Sequence, residues 1–90
     1  MSAYAPAYSM SKTAVNALTR ILAHSYREAG VLVNAVAPSI MDTPANRAAM
    51  PKADHLAWPK VEEVAATILF LASPDNKVTR GAIVPVYGRW

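Results

Sequence analysis

Between Pro6 and Ala29, apolar side chains recur at three- and four-residue spacing. Val15, Leu18 and Leu22 form one series, and Ala14, Ala17 and Ile21 another. This spacing predicts a helix over 6–29 with a broad apolar face. Pro6 suits the first turn, where its missing N–H is no loss, and Gly30 is placed to end the helix in a left-handed conformation. Ser11, Asn16, Thr19 and Arg20 interrupt the apolar surface, while the alanine-rich positions let another helix approach closely. More than one side of this helix is therefore expected to be buried.

The run Val31-Leu32-Val33-Asn34-Ala35-Val36-Ala37 is short, rich in β-branched residues and apolar on both alternating faces apart from Asn34. It reads as a strand over 31–37 covered on both sides, and Pro38 stops it. Helix, glycine turn and buried strand together resemble one half of a βαβ crossover. The stretch 38–59 holds four prolines and the polar groups Asp42-Thr43 and Asn46-Arg47. Thr43 can cap and Pro44 can open a short helix running to about Met50. Met41, Met50, Leu56 and Trp58 give this stretch an apolar underside. Its composition suits a flap over a small molecule and a plain packed connection equally.

A second long helix is predicted over 60–72, with Val61, Val64, Ala65, Ile68, Leu69, Leu71 and Ala72 as its core stripe. Glu62 and Glu63 favour the dipole in its first turn, and Pro74 follows its end. Residues 82–87 read as a final strand, at an edge or distorted because Pro85 cannot donate to a ladder. The elements thus describe an α/β unit of two long helices, two strands and a partly helical loop.

Composition narrows the function classes. Ninety residues, 53% hydrophobic and 17% charged, with a net charge of +3, suit one folded unit rather than a disordered tail. Without cysteine there is no disulfide scaffold and no thiolate metal site. No apolar run approaches the ~20 residues of a membrane helix. No secretory signal opens the chain, so a cytoplasmic protein is expected. The nine Lys and Arg are scattered from Lys12 to Arg89 and form no basic stripe, which argues against nucleic acid as a partner. His24 and His55 have no Asp, Glu or Cys at ligand spacing, so no metal is expected. Asp42 and Asp54 read as solvated loop charges, and Trp58 and Trp90 as packing residues.

One pair can carry chemistry. Tyr8 and Lys12, in Tyr8-Ser9-Met10-Ser11-Lys12, lie four apart and so share one helix face. A phenol, with an ordinary pKa near 10, exchanges protons poorly at neutral pH. A nearby ammonium favours the phenolate and brings the exchange towards the working range. Such a pair can protonate a carbonyl oxygen, or take the proton of an alcohol, while hydride moves at the carbon. The bland alternative is that the two residues merely flank an exposed helix start.

Their context is specific. The order Tyr8-x-x-x-Lys12, alanine-rich helix, Gly30, strand 31–37 and Pro38-x-x-x-x-Thr43 resembles the short-chain dehydrogenase/reductase family. The resemblance continues through Glu62-Glu63-Val64-Ala65, Phe70-Leu71-Ala72-Ser73 and Gly81-Ala82-Ile83-Val84-Pro85-Val86-Tyr87-Gly88, and covers nearly the whole chain. It implies the C-terminal portion of a doubly wound, Rossmann-like parallel-sheet fold. It also implies that Tyr8 is the catalytic acid/base and that Lys12 lowers its pKa and hydrogen-bonds the nicotinamide ribose. Pro38, Ser39, Ile40 and Thr43 fall in the stretch that holds the nicotinamide, with Ile40 giving backbone contacts. Residues 44–58 fall where the family places its variable substrate loop. The implied cofactor is NAD or NADP, the implied substrate a small alcohol or carbonyl compound, and the implied assembly a homo-oligomer.

The chain departs from the family pattern in several places. Ser39 stands where glycine is usual. The glycine-rich pyrophosphate turn has no counterpart, nor has the residue that reads the adenosine ribose. Ser2 lies too close to Tyr8 for the catalytic serine, and Asn16 and Asn34 are not in the position of the active-site asparagine. The chain is therefore expected to be the C-terminal part of such an enzyme, with weak or absent cofactor binding and incomplete catalysis by itself. The alternative is a non-catalytic, self-associating or partner-binding module made from a truncated dehydrogenase.

Overall fold

The structure, a computed structural model, describes residues 6–89; Ser2 and Trp90 lie outside the described residues. In order, the elements are α1 (Pro6–Ser25), β1 (Ala35–Pro38), α2 (Pro44–Ala49), a single 3₁₀ turn (His55–Ala57), α3 (Val61–Ala72) and β2 (Ile83–Val86). β1 and β2 pair in a two-stranded sheet. Gly81 N–H donates to Val33 O at 2.7 Å, Ala35 N–H to Ala82 O at 2.9 Å and Ser39 N–H to Val86 O at 3.2 Å. Partners advance together on both segments, so the pair is parallel and the fold is α/β.

The chain divides into two compact units. One takes the chain up to Ala35 together with Val78–Ile83; the other takes Val36–Lys77 together with the chain from Val84 onward. The first unit is dominated by α1. Its regular hydrogen bonding stops at Ser25 rather than at residue 29 because the chain tightens before it turns. Gly30 N–H donates to Arg27 O and Val31 N–H to Tyr26 O, with Gly30 at φ +74°. This six-to-one and five-to-two pattern closes a helix through a left-handed glycine. Only Thr19 and Ala23 of α1 are buried, and Val15, Leu18 and Ile21 are each about half exposed. The expectation of more than one buried side is corrected here. Among the described residues, only 26–35 and 78–83 of the first unit are available to cover twenty helical residues.

The strands are shorter than the apolar runs that encode them, and side chains account for the difference. Val31 is taken up by the helix closure. Asn34 then bonds through its amide, with Nδ2 donating to Thr79 O at 2.8 Å and Oδ1 accepting from Ala82 N–H at 3.1 Å. The ladder therefore begins at Ala35 instead of 31, and the second strand at Ile83 instead of 82. At the far end Ser39 Oγ donates to Tyr87 O at 3.1 Å, which leaves residue 87 outside β2. Pro85 is exposed, and β2 is an edge of the two-stranded sheet, where a residue with no N–H to donate is tolerated.

In the second unit α3 starts at Val61 with Lys60 as its N-cap. Lys60 N–H donates to Glu63 Oε1 at 2.7 Å, one half of a capping box. Beyond its end, buried Asn76 donates from Nδ2 to Leu71 O at 3.0 Å. Trp58 is 3% exposed, Pro59 below 2% and Val64 7%, so the unit's core lies where the 3₁₀ turn meets α3. Gly88, at φ +71°, closes against this point, and a Cβ there would meet Ala57 O and stand 2.8 Å from Pro59 N. Arg89 N–H donates to Ala57 O at 2.9 Å beside it.

Gly88→Ala combines a disfavoured backbone conformation with a clash against backbone atoms, and should cost about 2 to 4 kcal/mol. Gly30→Ala meets nothing within 4 Å. It should cost only the conformational penalty of about 1 to 2 kcal/mol. Thermal melts of the two variants check this ordering.

Candidate functional site

Tyr8 and Lys12 occupy the first turns of α1. Four helical positions apart, they stand on one face, and Lys12 Nζ lies 5.4 Å from the Tyr8 ring centroid. That is within reach of an attraction between an ammonium and an aromatic face. Tyr8 is 55% exposed, so its phenol is open to a reacting group. Two hydroxyls near the pair are engaged: Ser11 Oγ donates to Ala7 O at 2.8 Å and Thr13 Oγ1 to Ser9 O at 2.9 Å.

The second unit contains the run Pro38 to Thr43. Pro38 ends β1, and Ser39 is held from its backbone and its side chain by Val86 and Tyr87. Thr43, at φ −129° and ψ 156°, is the N-cap of α2, with Oγ1 accepting from Asn46 N–H at 3.1 Å. The neighbouring Asn46 Nδ2 donates to Met41 O at 2.8 Å. Asp42 N–H donates to Pro59 O at 2.9 Å, and Asp42 forms a parallel bridge with Lys60. Both ends of the 43–59 stretch thus meet at one place. Half-buried Ile40 makes no hydrogen bond among the described residues, so its N–H and C=O are free to bind an amide such as a nicotinamide's.

Asp42 is not the solvated charge expected from sequence. Its Oδ1 accepts from Arg47 Nε at 2.6 Å and its Oδ2 from Arg47 Nη2 at 2.8 Å. The carboxylate side chain is 16% exposed and the arginine 49%. This two-point pairing holds the Asp42 carboxyl below its ordinary pKa and raises that of Arg47. Burial of the carboxylate opposes the shift, and His55 and Lys60 add smaller effects in the direction of Arg47's. A cleft of about 350 Å³ opens here, lined by Asp42, Thr43, Arg47, Lys60 and Glu62 among others.

The pair spans five residues across a capped helix start. Thr43-Pro44 predicts that start, and with it a return of Arg47 over the residue before the cap. That was the available signal. Asn34 likewise stood out as the polar member of an apolar strand. His55 is held locally, with Nε2 2.7 Å from Met50 O and its ring 4.7 Å from that of Trp58. Among the described residues no group of three His, Cys, Asp or Glu could hold a metal ion.

The chain is similar to several known proteins. The family profile described as enoyl-(acyl carrier protein) reductase matches residues 1–88. Galactitol 2-dehydrogenase of Rhizobium johnstonii is 45% identical over 89% of this chain and 35% of its own length. Cis-4-hydroxycyclohexanecarboxylate dehydrogenase of Sinomonas cyclohexanicum is 43% identical over 90% of this chain and 36% of its own. A solved Agrobacterium tumefaciens protein with bound NADP, proposed as a 2-deoxy-D-gluconate 3-dehydrogenase, superposes with a TM-score of 0.82 at 32% identity. It covers 94% of this chain, which matches 39% of that protein. The chain thus spans little more than a third of the length of these relatives.

Because the folded-state pKa of Asp42 is depressed, the stability its pairing gives to 41–47 is complete above the ordinary value of 3.8. It is lost as pH falls through the depressed value. The stability difference between the wild type and Asp42→Asn should therefore be constant above about pH 5 and shrink below 3.8. Denaturant titrations over that range measure it, and a difference that grows on acidification would contradict the assignment.

Proposed function

The chain belongs to the short-chain dehydrogenase/reductase family, and we propose that the complete protein transfers hydride between NAD(P) and a small alcohol or carbonyl substrate. The observation that carries this reading is the Tyr8–Lys12 pair, one turn apart on α1 with the ammonium 5.4 Å from the phenol ring. In the oxidative direction the Tyr8 phenolate takes the proton of the substrate hydroxyl. In reduction the Tyr8 phenol gives that proton to the carbonyl oxygen. Lys12, one turn along the same face, is proposed to bind the ribose hydroxyls. Nicotinamide, when bound, accepts or supplies the hydride.

Pro38, Ser39, Ile40 and Thr43 are the residues proposed to hold the nicotinamide. The free backbone of Ile40 suits its carboxamide. Thr43 Oγ1 accepts from Asn46, so its own proton is left to donate. The Asp42–Arg47 pairing and the Thr43 cap keep this run in place before a ligand arrives, which lowers the ordering cost of binding. Residues 44–58 are proposed as the substrate flap. Alone, the chain is proposed to be catalytically incomplete, since it corresponds to about a third of its relatives' length. No helix among the described residues is long and apolar enough to cross a membrane; a cytoplasmic location is proposed from the composition.

A second reading, self-association, has its own observation. Val15, Leu18 and Ile21 of α1, and Ile68, Leu69 and Phe70 of α3, are 49% to 70% exposed. Clusters of that kind mark surfaces that become covered. A homo-oligomer is the proposed form, with or without catalysis.

Tyr8→Phe in the complete protein should lower turnover by a factor of about 10² to 10⁴. Cofactor affinity, followed by NAD(P)H fluorescence, should be retained. Unchanged turnover would remove Tyr8 from the mechanism, and Tyr8-dependent oxidation of NADH or NADPH by the purified 90-residue chain would overturn its incompleteness. Sedimentation at micromolar concentration should give dimers or larger species. A compact monomer would count against self-association.

A further inference from the structure

In the first unit Arg20 and His24 lie four apart on one face of α1, and Arg27 follows in the turn that closes the helix. Arg80, from the segment before β2, reaches the same place. The four residues, with Ala23 and Gly81, line an open cleft of about 260 Å³. None of the four side chains makes an ion pair or hydrogen bond among the described residues. Glu28, next to Arg27 in sequence, is not part of the lining. Three arginines and a histidine thus line one cleft with no ion-pair partner among the described residues.

The negative end of the helix dipole gives one reason for cations late in α1. It does not account for Arg80, which lies outside the helix and is fixed there by a separate device. The Asn34 amide accepts from Ala82 N–H and donates to Thr79 O, bracketing Arg80 on both sides. Gly81 N–H is bonded to Val33 O at 2.7 Å. A Cβ on Gly81 would lie 3.4 Å from Ala23 Cβ, so this segment runs directly against the helix face. These hydrogen bonds hold the backbone around Arg80 close to Arg20 and Arg27. Like charges so held repel one another, and a bound anion relieves the repulsion.

We propose that the cleft formed by Arg20, His24, Arg27 and Arg80 is a binding site for a phosphate or pyrophosphate anion. Guanidinium groups match phosphate oxygens in two-point hydrogen bonds, and several donors converging from a helix and a pinned loop suit a polyanion better than a single carboxylate. The site stands apart from the Tyr8–Lys12 chemistry in its residues and does not depend on the dehydrogenase reading.

Calorimetric titration of the full-length protein with pyrophosphate and with inorganic phosphate, at about 0.15 M ionic strength, tests the proposal. Saturable binding is expected, with pyrophosphate the tighter ligand. Arg20→Gln and Arg80→Gln should each weaken it about tenfold, since Gln keeps the helix propensity and most of the stem but removes the charged donors. Asn34→Ala changes no charge, and should weaken binding by releasing Arg80. If that variant fails to fold, the two arginine variants decide alone. Absence of saturable binding, equal binding of chloride, or arginine variants that bind like the wild type would each overturn the proposal.

Discussion

Two strands that run the same way cannot be joined by a tight turn, and that constraint organises this chain. The pairing of β1 with β2 leaves the connection between them to carry α2, the 3₁₀ turn and α3. Its ends are secured by side chains as well as by the ladder. Asn34 ties Thr79 and Ala82 at one end of the pair, and Ser39 ties Tyr87 at the other. Residues 45 to 48 positions apart are thereby set in register. A short ladder of few backbone bonds is pinned where it would otherwise fray.

The same connection explains the state of the candidate cofactor run. Residues after a parallel strand are free of the ladder and can turn their backbone groups to a ligand. Here Ser39 is still held, Asp42 is held again by Pro59, and Ile40 between them makes no hydrogen bond among the described residues. The 43–59 stretch is closed at its base by the Asp42–Lys60 bridge and braced inside by Arg47. The stretch is therefore fixed at its base by bonds within the chain.

Local signals were legible in the sequence and long-range ones were not. Thr43-Pro44 marked the α2 cap, Glu63 the start of α3 and Gly30 the closure of α1, because each acts within a few residues of its partner. The lengths of the strands were not legible. They depend on Asn34 and Ser39 bonding to residues 45 to 48 positions away, and no periodicity reports that. Asp42 was read as solvated because charge alone does not reveal a partner. Its pairing needed the helix start and the turn that brings Arg47 back. Tyr8 and Lys12 were legible as a pair because helical spacing fixes them on one face, whatever lies around them.

The exposed apolar side chains of α1 follow from the same topology. Val15, Leu18 and Ile21 are half exposed because the described segments of the first unit bury α1 only at Thr19 and Ala23. The side of α1 that is buried here is the one with Thr19 and Ala23, where small residues admit the segment at Gly81. Small residues make that contact close, and large ones on the remaining surface are left half exposed. The relatives that carry a matching stretch are nearly three times as long as this chain.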